Sequence, residues 1–376
     1  MGVLRLILAI TVILAHAGSI FGYSGLGGLV AVQTFFIISG FYMSLILNEK
    51  YIGTNNYKLF ISNRFLKLYP VYWTVAILAI LVNLALAMLN RNSFFFTNFT
   101  DSNMSPLSFI YLIFTNIFMF GQDSVMFLQL NQQGMLEFCK NFLNSNPKLY
   151  TFLLVPQAWS LGVELLFYLI APVIVRKRTS IITIFIALSL ALRIFIYYNG
   201  LYNDPWVYRF FPTEVALFLF GAISYKIYAN LKNSRECLKK YSKWACFIAI
   251  IITLLYQYID LLFSEISFGH EMFKWIYYIV IMLSIPFIFS YTKRSKLDRY
   301  LAELSYPIYI SHMLVLQLTN IIISRFINGR ITYLLPILSI IFTLLFSIVL
   351  VRFIIKPMEK LRQRRINTNN KIEINI

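Results

Sequence analysis

Eleven apolar runs, each long or nearly long enough to cross a bilayer, fill this chain. They lie near 3–22, 29–47, 68–89, 107–120, 158–175, 179–198, 210–229, 243–262, 272–290, 302–323 and 332–354. A spanning helix needs about 20 mostly apolar residues. Hydrocarbon also obliges the backbone to satisfy its hydrogen bonds inside helices or closed barrels. The runs therefore predict an all-α polytopic transmembrane helix bundle. Composition agrees, with 59% hydrophobic and 13% charged residues over 376 positions, against roughly 45–50% apolar and about 25% charged in soluble domains. A net charge of +18 would suggest nucleic acid in a soluble protein. Here the basic residues sit in short connections, so no nucleic-acid partner is expected. Cys139, Cys237 and Cys246 have neither metal-site spacing nor the look of a disulfide framework, and no metal site is expected.

Loop charge orients the runs. Five connections are basic: 48–67, "RKR" at 176–178, 226–243, "KRSKLDR" at 293–299, and the tail from Lys356 onward, together holding 23 of the 33 Lys and Arg residues. The connections 18–28, 198–209, 263–271 and 324–331 carry few. Basic and non-basic connections alternate if the N-terminus is cytoplasmic. An even number of crossings must then separate 48–67 from 176–178, yet three runs lie between them. The odd one out is "SFIYLIFTNIFMF" at 108–120, the shortest, which holds Thr115 and Asn116. It predicts a re-entrant or interfacial segment within a long outer excursion over 90–157. The expectation is about ten spans with both termini cytoplasmic: a single transmembrane domain over 1–360 and a basic cytoplasmic tail at 361–376. An eleven-span alternative would put the basic tail on the wrong side. No appended soluble domain is expected.

Ionisable residues in spanning helices are costly and usually face a bundle interior or cavity. Those here are Arg5, His16, Glu164, Arg193, Arg209, Glu214 and His312. Arg5 and His16 are eleven residues apart, which on a helix means a rise of about 16 Å and a rotation of only some 20°. They share one face, with Arg5 inside and His16 toward the outside. The pair reads either as an anchor plus a packed histidine or as parts of a site. "AHA" at 15–17 also mimics a signal cleavage site, but with nine more spans following, an uncleaved first helix is expected. Arg64 and Lys67 lie one helical turn apart where the third helix enters from the cytoplasm. They read as ordinary positive-inside residues or as a clamp for a phosphorylated donor. Glu164 follows Trp159 and Ser160 at the outer interface and could orient a histidine, bind a cation or carry protons. Ser305, Tyr309 and His312 form a polar stripe at spacings of four and three, suited to a helix contact or to a site. Ser39-Gly40 reads as close helix packing.

Taken together, these stretches resemble acyltransferase family 3, the integral-membrane acyltransferases that mostly modify cell-surface glycans. The resemblance rests on Arg5 and His16 with ten residues between them, and on Phe35, Phe36, Ser39, Gly40 and Phe41 in the second helix. It also rests on Arg64-Phe-Leu-Lys67, "WSLGVE" at 159–164 and "SYPIYISH" at 305–312. Lys67 departs from the family's second arginine, which weakens bidentate phosphate contacts. The likeness runs end to end.

The resemblance implies a multi-pass protein of the cell membrane with no permanently bound cofactor. Acyl-CoA, chiefly acetyl-CoA, would be the co-substrate, and a hydroxyl of a cell-surface polysaccharide, lipopolysaccharide or other lipid-linked glycan the acceptor. His16 would be the base that activates the hydroxyl, with Glu164 orienting it. Arg64 and Lys67 would hold the donor's phosphates, and Arg5 would line the route of its pantetheine arm. Ser39, Trp159, Ser160, Arg209, Tyr309 and His312 would meet the acceptor or support the catalytic pair. Transfer is either direct or through an acylated His16. The protein would finish the transfer itself or hand the acyl group to a separate extracytoplasmic acyltransferase partner. The rival reading is a glycan-lipid flippase or polysaccharide exporter, which the absence of repeated halves and paired broken helices disfavours.

Overall fold

The computed structural model describes residues 1–51, 56–89, 94–232, 235–326 and 333–374. Most of the connection 324–331 and the side chain of Cys237 fall outside them. Thirteen α-helices occur among the described residues: α1 Gly2–Ala17, α2 Gly27–Glu49, α3 Asn56–Met88, α4 Phe94–Asp101, α5 Pro106–Phe118, α6 Trp159–Ile174, α7 Thr179–Tyr198, α8 Phe211–Leu231, α9 Arg235–Leu262, α10 Gly269–Thr292, α11 Lys296–Phe326, α12 Leu334–Leu350 and α13 Lys356–Ile374. One small hairpin, β1 Leu128–Leu130 paired antiparallel with β2 Leu136–Phe138, lies between α5 and α6. The protein is thus an all-α membrane bundle. Eight of the described helices are long and apolar enough to span a membrane. Against the ten expected, α1 counts only as a shorter apolar helix and α8 is not among the eight. At 16 residues, α1 is about 24 Å long, and Arg5 and His16 interrupt its apolar face.

The odd segment resolves by length. With 13 residues, α5 is about 20 Å long, too short for a hydrocarbon core of about 30 Å. Ser105 caps its N-terminus and Pro106 occupies its first turn. Phe109, Ile110, Phe114 and Ile117 are exposed, whereas Ser108, Leu112, Thr115 and Asn116 are buried. The C-terminal carbonyls of a helix lack intrahelical partners, and here α3 supplies them. The Tyr69 hydroxyl donates to the Phe118 carbonyl, the Tyr72 hydroxyl to that of Asn116 at 2.5 Å, and the Trp73 indole to that of Ile117 at 2.9 Å. These three residues sit midway along α3, so α5 ends against the middle of that helix and the chain turns at left-handed Met119. Its length and this turn agree with the expected re-entrant or interfacial segment.

Two helix pairs position the centre. First, α2 and α8 meet backbone to backbone. A Cβ on Gly40 would lie 1.8 Å from the Phe218 carbonyl oxygen, and one on Gly221 would lie 2.0 Å from that of Ile37. This contact fixes the rotation of α2 and hence the direction of Ser39. Gly40→Ala is expected to destabilise the protein by about 1–3 kcal/mol through overpacking. Gly28→Ala on the same helix, whose nearest neighbour is 3.4 Å away, should be silent. Thermal unfolding in detergent compares the two. Second, α1 and α11 run parallel: the Met1 amine pairs with Asp298 at 2.9 Å, and at the other end the His16 and His312 rings lie 5.2 Å apart.

The residues expected as a tail form α13, which packs on α3. Arg365 donates to Asn63 at 3.1 Å and to Ser62 at 2.8 Å. A π-helical stretch, Val351–Ile355, joins α12 to α13 without a break.

Candidate active site

A narrow cleft opens among α1, α2, α3, α6 and α11. Seven polar or ionisable residues singled out in the sequence line it: Arg5, Ser39, Lys67, Ser160, Glu164, Ser305 and Tyr309; His16, Trp159, Arg209 and His312 lie outside its lining. Their order follows the helices. Arg5 and Lys67 lie toward the Met1 end, Glu164 with Ser39 in the middle, and Ser160 with Tyr309 toward the His16 end.

In the middle tier, Glu164 Oε1 accepts a hydrogen bond from the Ser39 hydroxyl and another of 2.5 Å from the Tyr168 hydroxyl. Tyr168 is one turn further along α6, the i+4 spacing at which helix residues meet. The expected pairing of Glu164 with His16 is not what the structure shows, because its carboxylate bonds run to α2 and along α6. Lys67 lies within the fields of Glu164, Arg64 and Arg5. Arg5 places its guanidinium 5.9 Å from the Tyr42 ring centre and leaves its Nε without a partner. Arg64 does not line the cleft. It is buried one turn before Lys67, 5.6 Å from the Phe60 ring and 5.9 Å from the Tyr168 ring, again with an unpartnered Nε.

In the next tier, the Tyr309 hydroxyl donates to the Gln157 carbonyl at 3.0 Å, and the Ser160 hydroxyl lies 2.6 Å from that of Tyr309 and 3.3 Å from the same carbonyl. One turn on, His312 is fully buried. Its Nδ1 lies 2.6 Å from the Tyr309 carbonyl oxygen. A carbonyl only accepts, so Nδ1 carries the proton and Nε2 is the free lone pair of the neutral ring. That Nε2 is buried without a partner. The His16 ring packs on His312 but is itself exposed at the last turn of α1. Arg209 follows in the connection between α7 and α8. It is held by Asp204 at 2.7 Å and lies 4.2 Å over the Trp159 ring. The site therefore joins an accessible imidazole, a buried imidazole behind it and a cation to one side.

Two ionisable residues noted in the sequence go elsewhere. Arg193 and Glu214 pair at 2.6 Å, and Gln33 and the carbonyls of Val207 and Thr213 complete the network. The sequence missed Tyr168, Tyr42, Tyr306 and Gln157 as members of the site. Only Tyr168 carried a signal, its spacing from Glu164.

The "Acyltransferase domain" family model matches residues 1–352. Proteins named "Putative O-acetyltransferase" in Staphylococcus aureus strains COL and MSSA476 are each 26% identical over 362 residues, covering 89% of this chain and 53% of theirs. This chain thus spans about half the length of those relatives. A protein named "Uncharacterized protein" in Aquifex aeolicus strain VF5 is 26% identical over 198 residues, 48% of this chain and 83% of its own. No solved structure matches.

Proposed function

The chain belongs to acyltransferase family 3, and we propose that it is a membrane O-acyltransferase moving an acyl group, chiefly acetyl, from cytoplasmic acyl-CoA to a hydroxyl of a cell-surface or lipid-linked glycan. The observation that supports this reading is an order of groups along the bundle: Arg5 and Lys67 in the cleft toward the Met1 end, Ser160 and Tyr309 toward its other end, and beyond them, outside the cleft lining, the exposed His16 imidazole packed on His312. A donor with a charged nucleotide and a thin thioester arm fits that order. Its phosphates stay with Arg5, Arg64 and Lys67 while its arm enters the cleft.

A sugar hydroxyl arriving from the His16 side gives its proton to the His16 imidazole as its oxygen attacks the thioester carbonyl. The carbon–sulfur bond breaks, and the thiolate takes the proton from the imidazolium. Arg209 offers its charge to the oxyanion formed on the way. His312, behind His16, fixes the ring. Glu164 balances Lys67 and holds Ser39 and Tyr168 in place. The termini lie on the donor side in this reading. A separate extracytoplasmic acyltransferase is the proposed partner wherever the glycan lies beyond reach of His16.

Proteoliposomes supplied with labelled acetyl-CoA on the Arg5 side and a glycan-lipid acceptor are expected to leave label on the glycan. Glycan-lipid crossing the bilayer without labelling would make the protein a flippase instead.

A further inference from the structure

Residues 353–376 lie beyond the part of the chain that matches the family. We infer that α13, which lies among them, belongs to the donor site, and that Arg362 is a binding residue for the phosphates of the donor's nucleotide. This inference rests on the acyl-CoA reading above and extends it to a segment that reads in sequence as a solvated tail.

Four observations carry it. Arg362 is only 8% exposed, although it sits in a helix crowded with charge. Its Nε has no partner, and one of its terminal nitrogens is paired with Glu359. The helix is held to α3 next to Arg64, because Arg365 bonds Asn63 and Ser62 and buried Asn63 in turn bonds the Tyr51 hydroxyl at 3.1 Å. Arg64 and Arg362 lie in each other's field, and Lys67 lies in the field of both and of Arg5.

Arg5, Arg64, Lys67 and Arg362 thus stand toward the Met1 end of the bundle, with Glu164 and Glu359 as the acidic groups acting among them. Glu164 is engaged by Ser39 and Tyr168. The Glu359 side chain is 40% exposed, so solvent weakens its hold. Each of Arg5, Arg64 and Arg362 keeps a buried Nε–H with nothing to donate to. Burying like charges with idle donors is costly, and a polyanion with several phosphate oxygens removes both costs at once. The thioester end of the donor carries no such charge, so the contact is with the nucleotide.

The test is donor kinetics of Arg362→Gln in the full-length protein, with coenzyme A binding measured in parallel. Arg362→Gln is expected to raise KM for acetyl-CoA about tenfold with kcat little changed, the scale of one charge-assisted hydrogen bond. Transfer from S-acetyl-pantetheine, which lacks the nucleotide, should be the same in both proteins. Arg362→Lys keeps the charge and should fall between them. It also decides the matter if the glutamine variant does not fold. An unchanged KM for acetyl-CoA in a folded variant would overturn the role of Arg362 while leaving acyl-CoA as donor. Equal loss with both donors would make Arg362 a scaffold residue and also overturn it. If the unaltered protein neither binds coenzyme A nor uses acetyl-CoA, the functional reading itself falls, and this inference with it.

Discussion

His16→Ala is expected to lower glycan acylation by about 10²–10⁴-fold, the range supplied by a positioned general base. His16 is the last-turn residue of α1, exposed and packed on His312 through one face of its ring. Its removal leaves no buried polar group beyond the already unpartnered His312 Nε2, so the variant should fold and insert normally. Coenzyme A binding should be unchanged, because Arg5 and Lys67 lie toward the opposite end of α1 from His16. The measurement is acyl incorporation into glycan by mass spectrometry, alongside a melting curve in detergent. Near-normal acylation by a folded His16→Ala protein would remove His16 from the mechanism. His312→Gln makes a useful comparison: a ring-positioning role predicts a smaller loss, confined to kcat.

Glu214→Ala should produce the largest loss of stability, about 3–5 kcal/mol, because it strands a buried charge. Glu214 is fully buried on α8. Arg193 reaches it from α7 at 2.6 Å, and Gln33 reaches it from α2 at 2.9 Å. Tyr278 extends the network by donating to Gln33 at 2.6 Å. Three helices therefore meet on one carboxylate, and a fourth, α10, joins through Gln33. Removing it leaves the Arg193 guanidinium with two backbone carbonyls and no counter-charge. Replacing both partners with apolar residues, as in Arg193→Met with Glu214→Leu, should cost less than Glu214→Ala alone. Thermal unfolding of the single and double variants checks this. A double variant less stable than Glu214→Ala would mean that the network's hydrogen bonds, and not the stranded charge, dominate.

Much of this architecture could be read from residue order. The parity of basic connections singled out 107–120, and the structure gives the reason: a helix of 13 residues ends against the middle of α3, where Tyr69, Tyr72 and Trp73 satisfy its last carbonyls. The phase of Arg5 and His16 put them on one face; in the fold Arg5 enters the cleft beside Tyr42 of α2, and His16 packs on His312 of α11. Contacts between helices were not legible. Ser39 reaches Glu164 only because Gly40 lets α2 press against α8, a fact of packing that no local pattern records. His312 showed its stripe but not its partner, since the parallel register of α1 and α11 is set by Met1 and Asp298. The helix α13 was hidden for a compositional reason: basic residues docked on a protein surface and basic residues in water look alike in sequence.

The pairing of α1 with α11 also bears on how this protein is made. Asp298 and His312 leave the ribosome some 300 residues after the helix they complete. At about 5–20 residues per second, that is roughly 15–60 s. Throughout that interval α1 must sit in the bilayer with Arg5 and His16 lacking their eventual neighbours. Biogenesis therefore has a late closing step, and the nascent chain carries no assembled active centre until its penultimate span has entered the membrane.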